Sequence, residues 1–184
     1  MERFIQEFIQ KTKRSNNILT EDDLRCKLFQ FLESNNRNLG SAFDEYELHS
    51  EIRRYWDRRE PWSAKLKYRS DLVYINKNEL IHFPWWNVVL PSKWFWFSTY
   101  KGILELKLRR ANWESNKNFI KKIQNDIDKL SEIRNKTQSR EDTFFYIIVF
   151  DKKRNIEEIE THIELREWMR FFYKYIGNSN ETNN

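Results

Sequence analysis

Asp71 lies within KYRSDLVYI, residues 67–75, where Leu72, Val73 and Ile75 mark a predicted strand. A carboxylate there is costly unless something pairs with it. Glu105 and Lys107 fall in YKGILELKL, residues 100–108, a second predicted strand. Side chains two apart on a strand share a face, so Glu105 and Lys107 project together while Leu104, Leu106 and Leu108 face the core. If the two strands are neighbours, Asp71 stands beside Glu105. Two such carboxylates repel strongly unless a divalent cation lies between them. An ammonium beside that cation can orient or activate a water and stabilise charge on a pentacoordinate phosphoryl group.

The elements that must position these residues read as alternating helix and strand. Phe4, Ile5, Phe8 and Ile9 outline a short amphipathic helix. Thr20 is placed as an N-cap, with Glu21, Asp22 and Asp23 in the first turn where the helix dipole favours them. Leu24, Leu28, Phe31 and Leu32 form the stripe of that second helix, expected to end near Ser34. Residues 46–53 alternate as a strand, with Tyr46, Leu48 and Ile52 on one side and Glu47, His49, Glu51 and Arg53 on the other. Residues 118–134 keep a helical period through Ile120, Ile123, Ile127 and Leu130. TFFYIIVF, residues 143–150, is apolar enough for a strand buried on both faces. Residues 156–175 read as a last helix, with Gly177 as its C-terminal cap. The expected fold is α/β: a mixed sheet flanked by helices on both faces, in the order α-α-β-β-β-α-β-α. Residues 1–177 form one domain and 178–184 a frayed polar tail.

Composition removes most other chemistry. The chain has 184 residues, 33 Lys and Arg against 28 Asp and Glu, and a formal charge of +5. Charged residues reach 33% and mean hydropathy is −0.89, while 16% aromatics suffice for a core. No apolar run approaches the roughly 18–20 residues of a membrane-spanning helix. The N-terminal stretch has no uninterrupted apolar segment, and Cys26 is the lone cysteine, so the expected compartment is cytoplasmic. Gly40, Gly102 and Gly177 are the only glycines, which excludes a dinucleotide fingerprint or a P-loop. His49, His82 and His162 are scattered and lack the spacing of a zinc hydrolase. Asp126 and Asp128 read as helix-surface carboxylates paired with Lys122 and Lys129.

Ser70-Asp71 in a strand, Glu105-x-Lys107 in the next and the amphipathic helix that follows resemble the PD-(D/E)XK nuclease superfamily, over roughly residues 20–150. The resemblance implies a restriction-endonuclease-like fold and metal-dependent hydrolysis of DNA phosphodiesters. It implies Mg²⁺ or Mn²⁺ on Asp71 and Glu105, with Glu51 contributing through water, and Lys107 as the catalytic lysine. Members often carry a Gln or Glu on the next helix, which matches Gln124 as the residue that positions Lys107 or the water. The upstream acid of the family is matched by Glu51, with Glu21 as the second choice. Ser70 stands where the family name has proline, and Asp71 and Glu105 are 34 positions apart, a long interval. A nuclease-like fold without catalysis, serving DNA binding or assembly, is the alternative from a different class.

The basic residues supply the expected DNA contacts. Segment 52–69 has net charge +5 and 101–140 net +6, while 20–51 has net −5. Arg53, Arg54, Arg58, Arg59, Lys67 and Arg69, with Arg109, Arg110, Lys121 and Lys122, are the expected phosphate contacts, so affinity falls steeply with salt. Tyr55, Trp56 and Trp62 lie among the first group and offer rings to sugar or base. The insertion at 79–100 carries Trp85, Trp86, Trp94 and Trp96. It reads as an aromatic hairpin, or as a platform for bases or a homodimer or partner contact.

Overall fold

The computed structural model describes residues 1–12, 20–35, 46–54, 68–76, 100–109, 114–136 and 143–177. Among them run α1 (Glu2–Lys11), α2 (Glu21–Ser34), β1 (Tyr46–Arg54), β2 (Tyr68–Asn76), β3 (Tyr100–Leu108), α3 (Asn116–Lys136), β4 (Phe144–Asp151), α4 (Ile156–His162) and β5 (Met169–Tyr175). The five strands form one mixed sheet in the order β1-β2-β3-β4-β5. β1, β2 and β3 pair antiparallel, whereas β3, β4 and β5 pair parallel. Parallel neighbours need a crossover, and α3 and α4 lie in those two connections.

β4 shows why the sheet is covered on both sides. Its Tyr146, Ile148 and Phe150 join Leu104, Leu106 and Leu108 of β3 in a core closed by Ile5, Phe8 and Ile9 of α1 and Leu24, Leu28 and Leu32 of α2. Its Phe145, Ile147 and Val149 join Val73, Ile75 and Ile103 in a second core, closed by Ile120, Ile123, Ile127, Leu130 and Ile133 of α3 and Ile159 of α4. Alternation along each strand therefore feeds two cores, one per face. Glu105 and Lys107 share the α3 face of β3 by the same parity.

The N-terminus of α2 is held by a reciprocal cap. The Asp23 N–H donates to Thr20 Oγ1 at 3.1 Å, and the Thr20 N–H donates to Asp23 Oδ2 at 2.8 Å. This cap sets the first turn of the helix, which carries Glu21. Thr20→Ala is expected to lower stability by about 1 kcal/mol in a urea unfolding curve. An unchanged midpoint would remove the cap from the account of α2.

The C-terminal region departs from the sequence expectation. Residues 156–175 are not one helix: α4 ends at His162, and Met169–Tyr175 forms β5 beside β4. MRFFYKY is rich in aromatic residues, which suit a pleated surface, and pairing Ile147 with Phe171 and Val149 with Tyr173 extends the sheet. Gly177 therefore caps no helix. A Cβ there would meet the Lys152 carbonyl and the Tyr175 ring, so close backbone approach accounts for the glycine. Among the described residues no helix is long and apolar enough to cross a membrane.

Candidate active site

β2 and β3 are neighbours, and their paired register runs from Ile75–Tyr100 to Leu72–Leu104. Asp71 and Glu105 are the next positions on the two strands. There the carboxylate substitutes for a ladder partner: the Leu106 N–H donates to Asp71 Oδ2 at 2.8 Å. This bond ties Asp71 to the backbone between Glu105 and Lys107. Asp71 and Glu105 are both buried, with 6% and 1% exposure. The three residues that carry the expected chemistry thus meet at one place in the sheet.

Two helices complete the cluster with opposite charges. Lys107 Nζ lies 2.8 Å from Asp126 Oδ2 of α3 and 3.4 Å from Glu21 Oε1 of α2. The other Glu21 oxygen accepts the Leu108 N–H at 3.1 Å. Lys129 Nζ, also from α3, lies 2.5 Å from Glu105 Oε2 and 3.1 Å from Asp126 Oδ1, and donates to the Arg69 carbonyl at 3.1 Å. Arg25 of α2 reaches Asp71 Oδ1 at 3.5 Å and Asp22 at 2.7 Å. Four carboxylates (Glu21, Asp71, Glu105 and Asp126) therefore alternate with the cations of Arg25, Lys107 and Lys129. Such alternation is what low dielectric demands of buried charge.

Burial is the main force on Glu105 and pushes its carboxyl upward, while the Lys129 ammonium pulls it back and the repulsion of Asp71 and Asp126 adds to the rise. Burial alone would lower the Lys107 ammonium, but Asp126, Glu21, Asp71 and Glu105 together hold it well above the ordinary lysine range. Lys107 is consequently a permanent cation at neutral pH. A carboxyl raised in the folded state binds protons there that the unfolded chain has lost, so its contribution to stability fades as pH rises toward the folded value. Metal-free melting temperature should therefore fall as pH rises above the ordinary carboxylate range near 4.5. Glu105→Gln should flatten the fall; an equally steep fall in that variant would assign it to another group.

Other expected site residues are placed differently. Gln124 is not in the cluster: its amide donates to Asp128 at 2.8 Å, and its carbonyl accepts the Glu164 N–H at 2.9 Å. Lys107 is positioned by Asp126 and Glu21 instead. Gln124→Ala is expected to leave any cleavage rate within about threefold of wild type in a single-turnover assay; a hundredfold loss would restore Gln124 to the site. Asp126 is no surface carboxylate, being 8% exposed and bound to Lys107 and Lys129, while Lys122 pairs with Glu114. Arg109 cannot meet phosphate: it is fully buried, 2.8 Å from Asp151, and stacks on Phe119. Lys121 and Arg69 are exposed, as is Lys122.

The pairs Ser50–Leu72 and Ile52–Ser70 put Glu51 level with Asp71 in the register, and the structure describes only the backbone of Glu51, Arg53 and Arg54. Glu21, the other upstream acid, lies 3.4 Å from Lys107 Nζ. Arg58, Arg59, Lys67, Arg110, the rings at 55, 56 and 62, and the aromatic insertion up to residue 99 lie outside the described residues.

Arg25, Asp126 and Lys129 were not expected in the cluster, yet part of the signal was present. Ile123, Asp126, Ile127 and Leu130 follow i, i+3, i+4, i+7, which puts Asp126 on the buried stripe of α3. Glu21, Arg25, Leu28 and Leu32 keep a similar helical spacing on α2.

Among the described residues no group of three or more His, Cys, Asp or Glu side chains is placed to hold a metal ion. The donor set at this place is the pair Asp71 and Glu105. Glu105 Oε1 is buried without a hydrogen-bond partner, a state that costs free energy and that a cation would relieve. Hard oxygen donors of this kind fit Mg²⁺ or Mn²⁺. No family model matches the chain, and neither a curated protein nor a solved structure matches it.

Proposed function

We propose that the protein is a metal-dependent nuclease of the PD-(D/E)XK type that hydrolyses phosphodiester bonds of DNA. The observation that carries this reading is the meeting of buried Asp71 and Glu105 at one level of adjacent strands, with a partnerless Glu105 oxygen and Lys107 two residues along. Three antiparallel strands followed by a helix and a parallel strand support the restriction-endonuclease-like arrangement.

Asp71 and Glu105 would hold Mg²⁺ or Mn²⁺. Such an ion, when bound, polarises the scissile phosphate and makes an attacking water more acidic. Lys107, charged throughout the neutral range, acts as a hydrogen-bond donor and not as a base. Its ammonium orients the water and stabilises the negative charge that grows on the phosphoryl oxygens. Asp126 and Glu21 hold Lys107 in place, and Arg25 and the Leu106 N–H hold Asp71. Exposed Lys121 and Arg69, with the basic residues of 53–67, supply phosphate contacts.

The second reading is a nuclease-like fold without catalysis, used for DNA binding or assembly. One observation favours it: Lys129 already neutralises Glu105. Incubation with linear, circular, single-stranded and branched DNA separates the two. Cleavage in Mn²⁺ that EDTA abolishes supports the nuclease; cleavage indifferent to EDTA contradicts it, and DNA binding without cleavage or Mn²⁺ uptake selects the second reading.

A further inference from the structure

Glu105 is a carboxylate with 1% exposure on the α3 face of the sheet. A charge so buried needs a counter-charge, and Lys129 provides it at 2.5 Å from Oε2. Among the described residues, the other ammonium nearby, Lys107, is already engaged by Asp126, Glu21 and the Leu106 carbonyl. Lys129 is held by three acceptors, and two of them, Asp126 Oδ1 and the Arg69 carbonyl, are independent of Glu105. Its ammonium can therefore let go of Glu105 and still be satisfied. Meanwhile Glu105 Oε1 is buried with no partner, so the carboxylate has one oxygen taken by Lys129 and one available.

The geometry points to Lys129 as an internal counter-cation that occupies Glu105 in the metal-free protein and must withdraw toward Asp126 and the Arg69 carbonyl when a divalent cation binds. This inference rests on the reading of Asp71 and Glu105 as the metal ligands. A divalent ion on Glu105 and an ammonium within hydrogen-bond distance of the same carboxylate repel each other strongly in a low-dielectric site. Lys129 thereby weakens metal binding while keeping the metal-free site neutral enough to fold. The ligand class is a hard divalent cation, and the regulated quantity is its affinity.

The test is Mn²⁺ binding to the full chain, followed by the electron paramagnetic resonance signal of free Mn²⁺, for wild type, Lys129→Met, Lys129→Gln and Asp71→Asn. The Lys129 variants should bind Mn²⁺ about tenfold more tightly than wild type, and Asp71→Asn should bind it about tenfold more weakly. Mn²⁺ binding that Asp71→Asn weakens but that neither Lys129 variant tightens overturns the counter-cation and leaves the metal site standing. Lack of Mn²⁺ binding in all four proteins, or binding untouched by Asp71→Asn, overturns both. If the Lys129 variants do not fold, wild-type crystals soaked with Mn²⁺ decide: with Mn²⁺ bound, the Lys129 ammonium should lie beyond hydrogen-bond distance of Glu105 and remain on Asp126 and the Arg69 carbonyl. An ammonium still on Glu105 with Mn²⁺ bound overturns the inference.

Discussion

Asp71→Asn and Lys107→Gln should each lower Mn²⁺-dependent DNA cleavage by about a thousandfold or more, with DNA binding held within a few-fold. Asparagine keeps an oxygen to accept the Leu106 N–H but loses the charge that a divalent cation needs. Glutamine at 107 keeps a donor near Asp126 and Glu21 but removes the positive charge that stabilises the phosphoryl oxygens in the transition state. The two losses should differ in kind. Excess Mn²⁺ should partly rescue Asp71→Asn, whose defect is affinity, and should not rescue Lys107→Gln, whose defect is the chemical step. Melting curves control for folding, since both positions are buried or nearly so. Wild-type cleavage by either variant would detach that residue from the chemistry.

Arg109→Met should destabilise the fold by about 3–5 kcal/mol in urea unfolding, because it leaves a buried carboxylate without its partner. Arg109 and Asp151 are both fully buried, 2.8 Å apart, at the ends of the parallel strands β3 and β4. Burial pushes the Asp151 carboxyl upward, and the Lys153 N–H and Arg109 pull it back. Arg109 also donates to Asn116 at 2.6 Å, and Asn116 donates to Glu158, so the first turns of α3 and α4 are fastened to the same point. The double variant Arg109→Met/Asp151→Leu should recover much of the loss, since an apolar pair of similar volume carries no desolvation cost. A single variant within 1 kcal/mol of wild type would show that the pair contributes little to holding the strand ends together.

Much of this architecture was legible in local patterns. β2, β3 and α3 carry local strand or helix signals, and the seven apolar residues from Phe144 to Phe150 in β4 required burial on both faces. β5 was not legible, because Ile159, Ile163, Trp168, Met169 and Phe172 suit a helical stripe as well as an aromatic strand. Pairing with β4 decides the matter, and that is a tertiary event.

The site divided along the same line. The parity of Glu105 and Lys107, and the cost of an unpaired Asp71, follow from one strand at a time. The roles of Asp126, Lys129 and Arg25 depend on how α2 and α3 lie over the sheet, which no local period records. Arg109 illustrates the reverse error. It sits in a basic stretch, and its burial depends on Asp151, 42 positions along the chain.

The most direct measurement of a shared metal site is anomalous diffraction from crystals of the wild-type protein grown or soaked with Mn²⁺. The predicted result is one peak within about 2.2 Å of a carboxylate oxygen from Asp71 and another from Glu105. A Mn²⁺ peak bound elsewhere, or none at saturating Mn²⁺ with these two carboxylates still held by Arg25 and Lys129, would contradict the nuclease reading.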